Sequence, residues 1–271
     1  MAQTTSTLRA VARHPTQAAP WRWAGLGAAI GLLLALVFYA PASWLAAGLA
    51  AATSGQLQLV ESRGTVWTGS ARLLLSGGSG SRDSTALPGS IDWTLRPDWL
   101  ALKLQLKASC CTPLPLQARL SLRWGGATLQ IADGSSQWPA HVLAGLGTPW
   151  NTLQAEGDLQ VATRQLSFDW VENRLAVAGG AELTALAISS RLSTLKPMGS
   201  YRLAFTGGSA PALELSTLEG SLQLSGTGRW VGPRLRFEGV ATAAPENEAA
   251  LANLLNIIGR RNGARSIITL G

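Results

Sequence analysis

From residue 56 onward, hydrophobic and polar positions alternate with a period of two. Leu100, Leu102, Leu104 and Leu106 fall on one side of an extended segment, and Lys103, Gln105 and Lys107 on the other. Leu116, Ala118, Leu120, Leu122 and Trp124 repeat the pattern against Gln117, Arg119, Ser121 and Arg123. Successive strand side chains point to opposite faces, so these are half-buried antiparallel strands with one dry face and one wet face. The same alternation predicts strands at 56–60, 65–75, 90–95, 127–132, 153–161, 174–192, 200–206, 212–230, 234–242 and 266–270, with Leu166, Phe168 and Trp170 extending the fifth. The fold class is therefore all-β. We expect a twisted, curved antiparallel meander of about a dozen strands, rolled towards a partial barrel.

The interruptions are specific. Arg96-Pro97-Asp98, Gly125-Gly126, Lys196-Pro197-Met198-Gly199 and residues 207–211 carry turn chemistry. Residues 76–88 form a Gly/Ser-rich loop with a mobile composition. Residues 137–146 lose the alternation, and Pro139 near their start predicts a short helix. Leu251, Leu254, Leu255 and Ile258 have helical spacing behind acids at the start of the segment, which predicts the main helix of the body over 246–258. Segments 153–159 and 218–222 share a strand unit, and the halves 56–145 and 150–271 read as a weak internal repeat.

The first part of the chain is different. From Trp23 to Val60 no charged residue occurs, and the run through Ala40 is almost wholly apolar. That is long enough to cross a bilayer, so 22–41 is assigned as a transmembrane helix. Trp21 and Trp23 flank one end, and Phe38, Tyr39 and Trp44 the other, as aromatic residues do at both membrane interfaces. Arg9 and Arg13 precede the span, Arg22 stands at its first position and no acid comes before it, which places residues 1–21 in the cytoplasm as a disordered tail. A cleaved signal peptide is the competing reading, because small residues at 46–52 resemble a cleavage site; the long apolar core favours an uncleaved anchor. Residues 42–55 follow as an interfacial helix or linker, and 56–271 form the β-rich body in the periplasm.

Charge and composition narrow the chemistry. The formal net charge is +7, but basic residues are dispersed along the wet faces of strands, without the stacked basic patch that nucleic acid requires. Cys110 and Cys111 are adjacent, without metal-ligand spacing. They serve as small apolar side chains under a loop or, in an oxidising compartment, as a disulfide within the pair or between molecules. His14 and His141 lack acidic neighbours in sequence, and no paired carboxylate or nucleophile motif stands out. No enzyme activity, cofactor or metal is expected.

One stretch organises the body: Arg63-Gly64-Thr65-Val66-Trp67-Thr68-Gly69-Ser70-Ala71. Glu61 to Gly64 reads as a polar hairpin turn with Gly64 at positive φ. Thr65, Trp67, Gly69, Ala71, Leu73 and Leu75 would then share one strand face. Gly69 and Ala71 leave room there for a neighbouring element to lie across the strand.

Together with 195–203 (Pro197, Gly199 and Tyr201), 220–230 (Gly226, Gly228 and Trp230) and 254–259, this stretch resembles protein N of the bacterial type II secretion system. The resemblance covers nearly the whole chain; the Cys110-Cys111 pair and the 76–88 loop are departures from it. It implies an accessory inner-membrane component of the secretion machine in a Gram-negative bacterium, with other inner-membrane components and the outer-membrane secretin as partners. Gly64, Thr65, Val66, Trp67, Gly69, Ala71, Pro197, Gly199, Tyr201, Gly226, Gly228 and Trp230 are its motif residues, expected to act as fold determinants or partner contacts. A looser likeness to AsmA-like envelope proteins implies the alternative, a hydrophobic groove that handles lipid. An outer-membrane barrel is excluded by the leading helix and the absence of aromatic girdles.

Overall fold

The computed structural model describes residues 21–172, 174–232 and 234–271; the polar tail 1–20 lies outside them. The chain forms two compact units, residues 1–39 and 40–271. The described part of the first includes α1 (Trp21–Phe38), 18 residues that, Arg22 apart, carry no charge and are long and apolar enough to cross a membrane.

In the second unit, α2 (Ala42–Ala52) leads into the strands. These are β1 (Leu57–Gly64), β2 (Thr68–Ser76), β3 (Ser84–Ala86), β4 (Ile91–Asp98), β5 (Ala101–Ala108), β6 (Leu116–Arg123), β7 (Gly126–Ile131) and β8 (Gly134–Pro139). A 3₁₀ segment (Ala140–Leu146) and α3 (Trp150–Leu153) follow. Then come β9 (Glu156–Val171), β10 (Arg174–Ser189), β11 (Gly199–Thr206), β12 (Ala212–Gly220), β13 (Leu222–Val231), β14 (Arg234–Ala243), α4 (Glu248–Ile258), β15 (Arg260–Asn262) and β16 (Arg265–Leu270).

Among the described residues, sixteen strands join one antiparallel sheet that does not close. Its path runs β1-β2-β4-β5-β6-β7-β9-β10-β11-β12-β13-β14-β16-β15, with β3 beside β2 and β8 beside β9. The period-two pattern explains the pairing: Leu102 faces Leu120, Leu120 faces Leu129, Leu129 faces Phe168 and Phe168 faces Val177, an apolar row on one face. A one-residue slip would turn that row to the wet side.

Because neighbours along this path are antiparallel, the turns β1–β2, β4–β5, β6–β7, β9–β10, β11–β12 and β13–β14 fall at one end of the sheet. The long connections, including the Cys110-Cys111 loop, the 3₁₀ segment and α4, fall at the other, with the short β12–β13 and β15–β16 turns. We call the first the tip end.

Helical segments cover the apolar face in three places. Ala42 of α2 is buried with Ala71 and Trp93, and Leu45 packs beside them. Val142 of the 3₁₀ segment joins Leu75, Leu87, Ile91, Ala108 and Cys111. Leu251, Leu254 and Leu255 of α4 pack on Met198, Tyr201, Leu222 and Ala241.

Several sequence expectations need correction. The helix expected over 246–258 shares the cover of the apolar face with α2 and the 3₁₀ segment. Residues 137–139 belong to β8, where Gln137 pairs with Gln160; the helical segment starts only at Ala140. Leu153 ends α3, and β9 begins at Glu156. The 76–88 loop is anchored rather than loose: β3 pairs with β2, Leu87 is buried, and Asn151 Nδ2 donates to Asp83 at 2.9 Å.

Candidate interaction surfaces

The organising stretch folds otherwise than alternation suggests. Glu61 to Gly64 are still in β1, and the turn is Thr65–Trp67, with β2 starting at Thr68. Gly64 does take a positive φ of 87°. The reason is the competition for the turn's peptide groups. Trp93 Nε1 donates to the carbonyls of Thr65 (3.3 Å) and Val66 (3.1 Å), and Val66 N–H donates to Ala40 (2.9 Å). Thr65 N–H closes the turn on the Thr68 carbonyl at 2.9 Å. The room beside Gly69 and Ala71 is filled by the Trp93 indole: a Cβ on Gly69 would stand 2.5 Å from its Cζ2.

The second motif region sits under α4. A cis peptide joins Lys196 to Pro197, and Met198 N–H donates to Ile188 at 2.8 Å, leading into β11. Tyr201 is 7% exposed, and its hydroxyl is buried with no hydrogen-bond partner among the described residues. Burial pushes its phenol pKa far up, so the group stays protonated. Tyr201 borders a cavity of about 210 Å³ with an apolar lining that includes Leu143, Leu159, Leu183, Leu254 and Ile258.

The third region repeats the aromatic-over-glycine arrangement. A Cβ on Gly226 would stand 2.5 Å from Phe237 Cζ, and one on Gly228 would stand 3.1 Å from Phe237 Cδ2. Trp230 meets Phe205 edge to face with ring centroids 5.6 Å apart, and remains 37% exposed. The motif residues therefore gather in three separate places rather than in one site. Alternation did not reveal that Trp124, in phase with the Leu116-to-Leu122 series, is a turn residue, as is Trp99. Both are almost fully exposed, at 104% and 97%.

Cys110 and Cys111 are bonded to each other. Cys111 is buried, as expected of a small apolar side chain, and its carbonyl accepts from Gln137 N–H at 2.8 Å. His141 is exposed on the 3₁₀ segment, and His14 lies outside the described residues. Among the described residues, no cluster of three His, Cys, Asp or Glu is placed to hold a metal. Asp98 accepts from Lys103 (2.9 Å) and Arg119 (3.2 Å). The Lys103 hydrogen bond and charge, helped by Arg119, hold its carboxyl below the usual range.

The sheet has two margins. β1 carries a register shift between Val60 and Arg63, with Glu61 at φ 53°, a bulge of the kind that blunts an edge. At the other margin β15 pairs only with residues 265–267 of β16, so Ile268, Thr269 and Leu270 run past it. Arg260, Arg261 and Arg265 stand at this margin, and Arg261 is engaged by Glu248 at 2.8 Å.

No curated protein and no solved structure matches the chain. The family model of type II secretion system (T2SS) protein N matches residues 55–268, which take in β1 to β15 and most of β16. That match spans most of the chain and all three motif regions, and the chain belongs to the type II secretion system protein N family.

Proposed function

We infer that the chain, by family an accessory component of type II secretion, is held in the inner membrane by α1, with residues 1–21 in the cytoplasm, and that its periplasmic body assembles other components by protein–protein contact. The partners are other inner-membrane secretion proteins and the outer-membrane secretin. The observation that carries this reading is the open sheet, whose β15–β16 margin leaves the β16 backbone at Ile268–Leu270 running past Arg260. An open edge accepts a partner strand by β-augmentation. Arg260 and Arg265 select one with acidic side chains.

The test is complementation in a deletion strain. Full-length Arg260→Glu/Arg265→Glu is expected to fold normally, yet to restore little secretion and to recover little of the inner-membrane partners. Full secretion with undiminished recovery would contradict the edge reading.

The lipid-handling alternative is supported by the apolar row Leu102-Leu120-Leu129-Phe168-Val177, which stays half-exposed between the helical covers. On that reading, acyl chains lie along the row, and Leu102→Glu with Leu120→Glu abolishes lipid co-purification.

A further inference from the structure

The two most exposed aromatic side chains of the body stand at the tip end. Trp99 and Trp124 occupy the β4–β5 and β6–β7 turns and are essentially bare. Trp170 (39%) and Trp230 (37%) end β9 and β13 at the next tips. Leu100, Leu122, Val171, Leu175 and Val231 stand beside them, each more than 40% exposed. Contiguous exposed apolar groups of this size on a protein body mark an interaction site.

Two features make this end unfavourable in water alone. Trp99 has φ 55°, a left-handed conformation that bulky residues rarely adopt, and its indole gains no burial in return. Arg229 lies directly opposite Arg236 across the β13–β14 ladder, with Arg234 at the start of β14. Like charges opposite one another repel. The nearest acids on that face, Glu238 and Glu214, are one row further from the tip, on either side of Thr227. At the neighbouring tips Asp98 and Asp169 are already engaged by Lys103, Arg119 and Arg123. The tip end therefore combines exposed indoles with basic side chains, Glu172 in the β9–β10 turn being its exposed acid without an ion pair among the described residues.

Chain continuity identifies the partner. Ala40 is bonded to Val66 and Pro41 bridges Thr65, both at the β1–β2 tip, and Ala40 follows the end of α1 by a single intervening residue, Tyr39. The chain thus passes from its apolar helix straight into the tip end. Tryptophan concentrates at bilayer interfaces, and Arg adds attraction to anionic head groups.

We propose that the tip end, through Trp99, Trp124, Trp170 and Trp230 with Arg229, Arg234 and Arg236, docks on the anionic surface of the same bilayer that α1 crosses. The proposal rests on the reading that α1 spans the inner membrane. The sheet then stands with its hairpin tips in the head-group region and its long connections away from the membrane.

The test uses the full chain with the Cys110–Cys111 bond intact. Trp99→Cys, Trp124→Cys and, as a site at the opposite end, Leu114→Cys are each labelled with an environment-sensitive fluorophore. Each is reconstituted into vesicles of phosphatidylethanolamine and phosphatidylglycerol. Lipids with a nitroxide near the head group are expected to quench the 99 and 124 probes several-fold more than the 114 probe, with blue-shifted emission. Water-like emission and equal quenching at all three sites, in protein that floats with the vesicles, overturns the docking and leaves the span intact. Protein that fails to float with the vesicles overturns the span and the docking together.

Discussion

Trp93 lies over Gly69, closely enough that a Cβ on the glycine would stand 2.5 Å from the indole Cζ2 and 2.6 Å from the Arg63 carbonyl. The same indole donates to the turn at Thr65 and Val66. One side chain therefore ties β4 to the β1–β2 turn and seals the contact with α2. Gly69→Ala must push Trp93 away and loosen all three. The expected loss is about 2 kcal/mol, or roughly 6 °C in Tm for a domain of this size, by thermal unfolding of the full chain in detergent. Gly134→Ala, whose nearest neighbour would be 3.9 Å away, serves as the control. It should change stability by less than about 0.5 kcal/mol.

Leu255 is fully buried between α4 and the sheet. Leu255→Ala removes that packing and leaves a cavity, at a cost of about 3 kcal/mol. Exposed Ile257 on the same helix gives the contrast. Ile257→Ala should stay within about 0.5 kcal/mol of the parent. Equal losses for the two would mean that α4 does not cover the sheet as described.

Tyr201 keeps a buried hydroxyl without a protein partner. Removing it as Tyr201→Phe should stabilise the body by about 1 kcal/mol. The pH dependence follows from the raised pKa. The unfolded phenol ionises near 10 while the folded one resists. The contribution is therefore complete below pH 10 and is lost as pH rises above it. Stability of the parent should decline above pH 10, and the decline should be shallower in Tyr201→Phe, as read by denaturant midpoints across that range.

The Cys110–Cys111 bond closes almost no chain, so it restricts the unfolded state little. Thiol labelling of the unreduced, unfolded protein should find no free cysteine. The Cys110→Ala/Cys111→Ala variant should lose about 1 kcal/mol, chiefly from the buried Cys111 side chain.

Much of this architecture is legible in the sequence, because period-two alternation is a direct record of a half-buried strand. Leu102, Leu104 and Leu106 could only face one way. The α4 helix was equally clear from Leu251, Leu254 and Leu255. The role of α2 was not, because Ala42–Ala52 is apolar all round and no polar face tells which side packs. The turn at Thr65–Trp67 was displaced because its peptide groups bond to Trp93 and Ala40, partners far away in sequence or on the wrong side of the expected strand. Alternation also hid the tip-end tryptophans: Trp124 continues the Leu116-to-Leu122 series in phase, yet the ladder ends at Arg123. The bond between adjacent cysteines leaves no spacing signature to read.

On the proposed reading, the body works by holding other secretion proteins. The most direct test is affinity purification of the full-length chain from solubilised envelopes, with mass spectrometry of both the proteins and the extracted lipids. Inner-membrane secretion components or the secretin should be recovered in constant proportion to the chain, without stoichiometric phospholipid. Near-stoichiometric phospholipid with no secretion component would contradict that reading and favour the lipid groove.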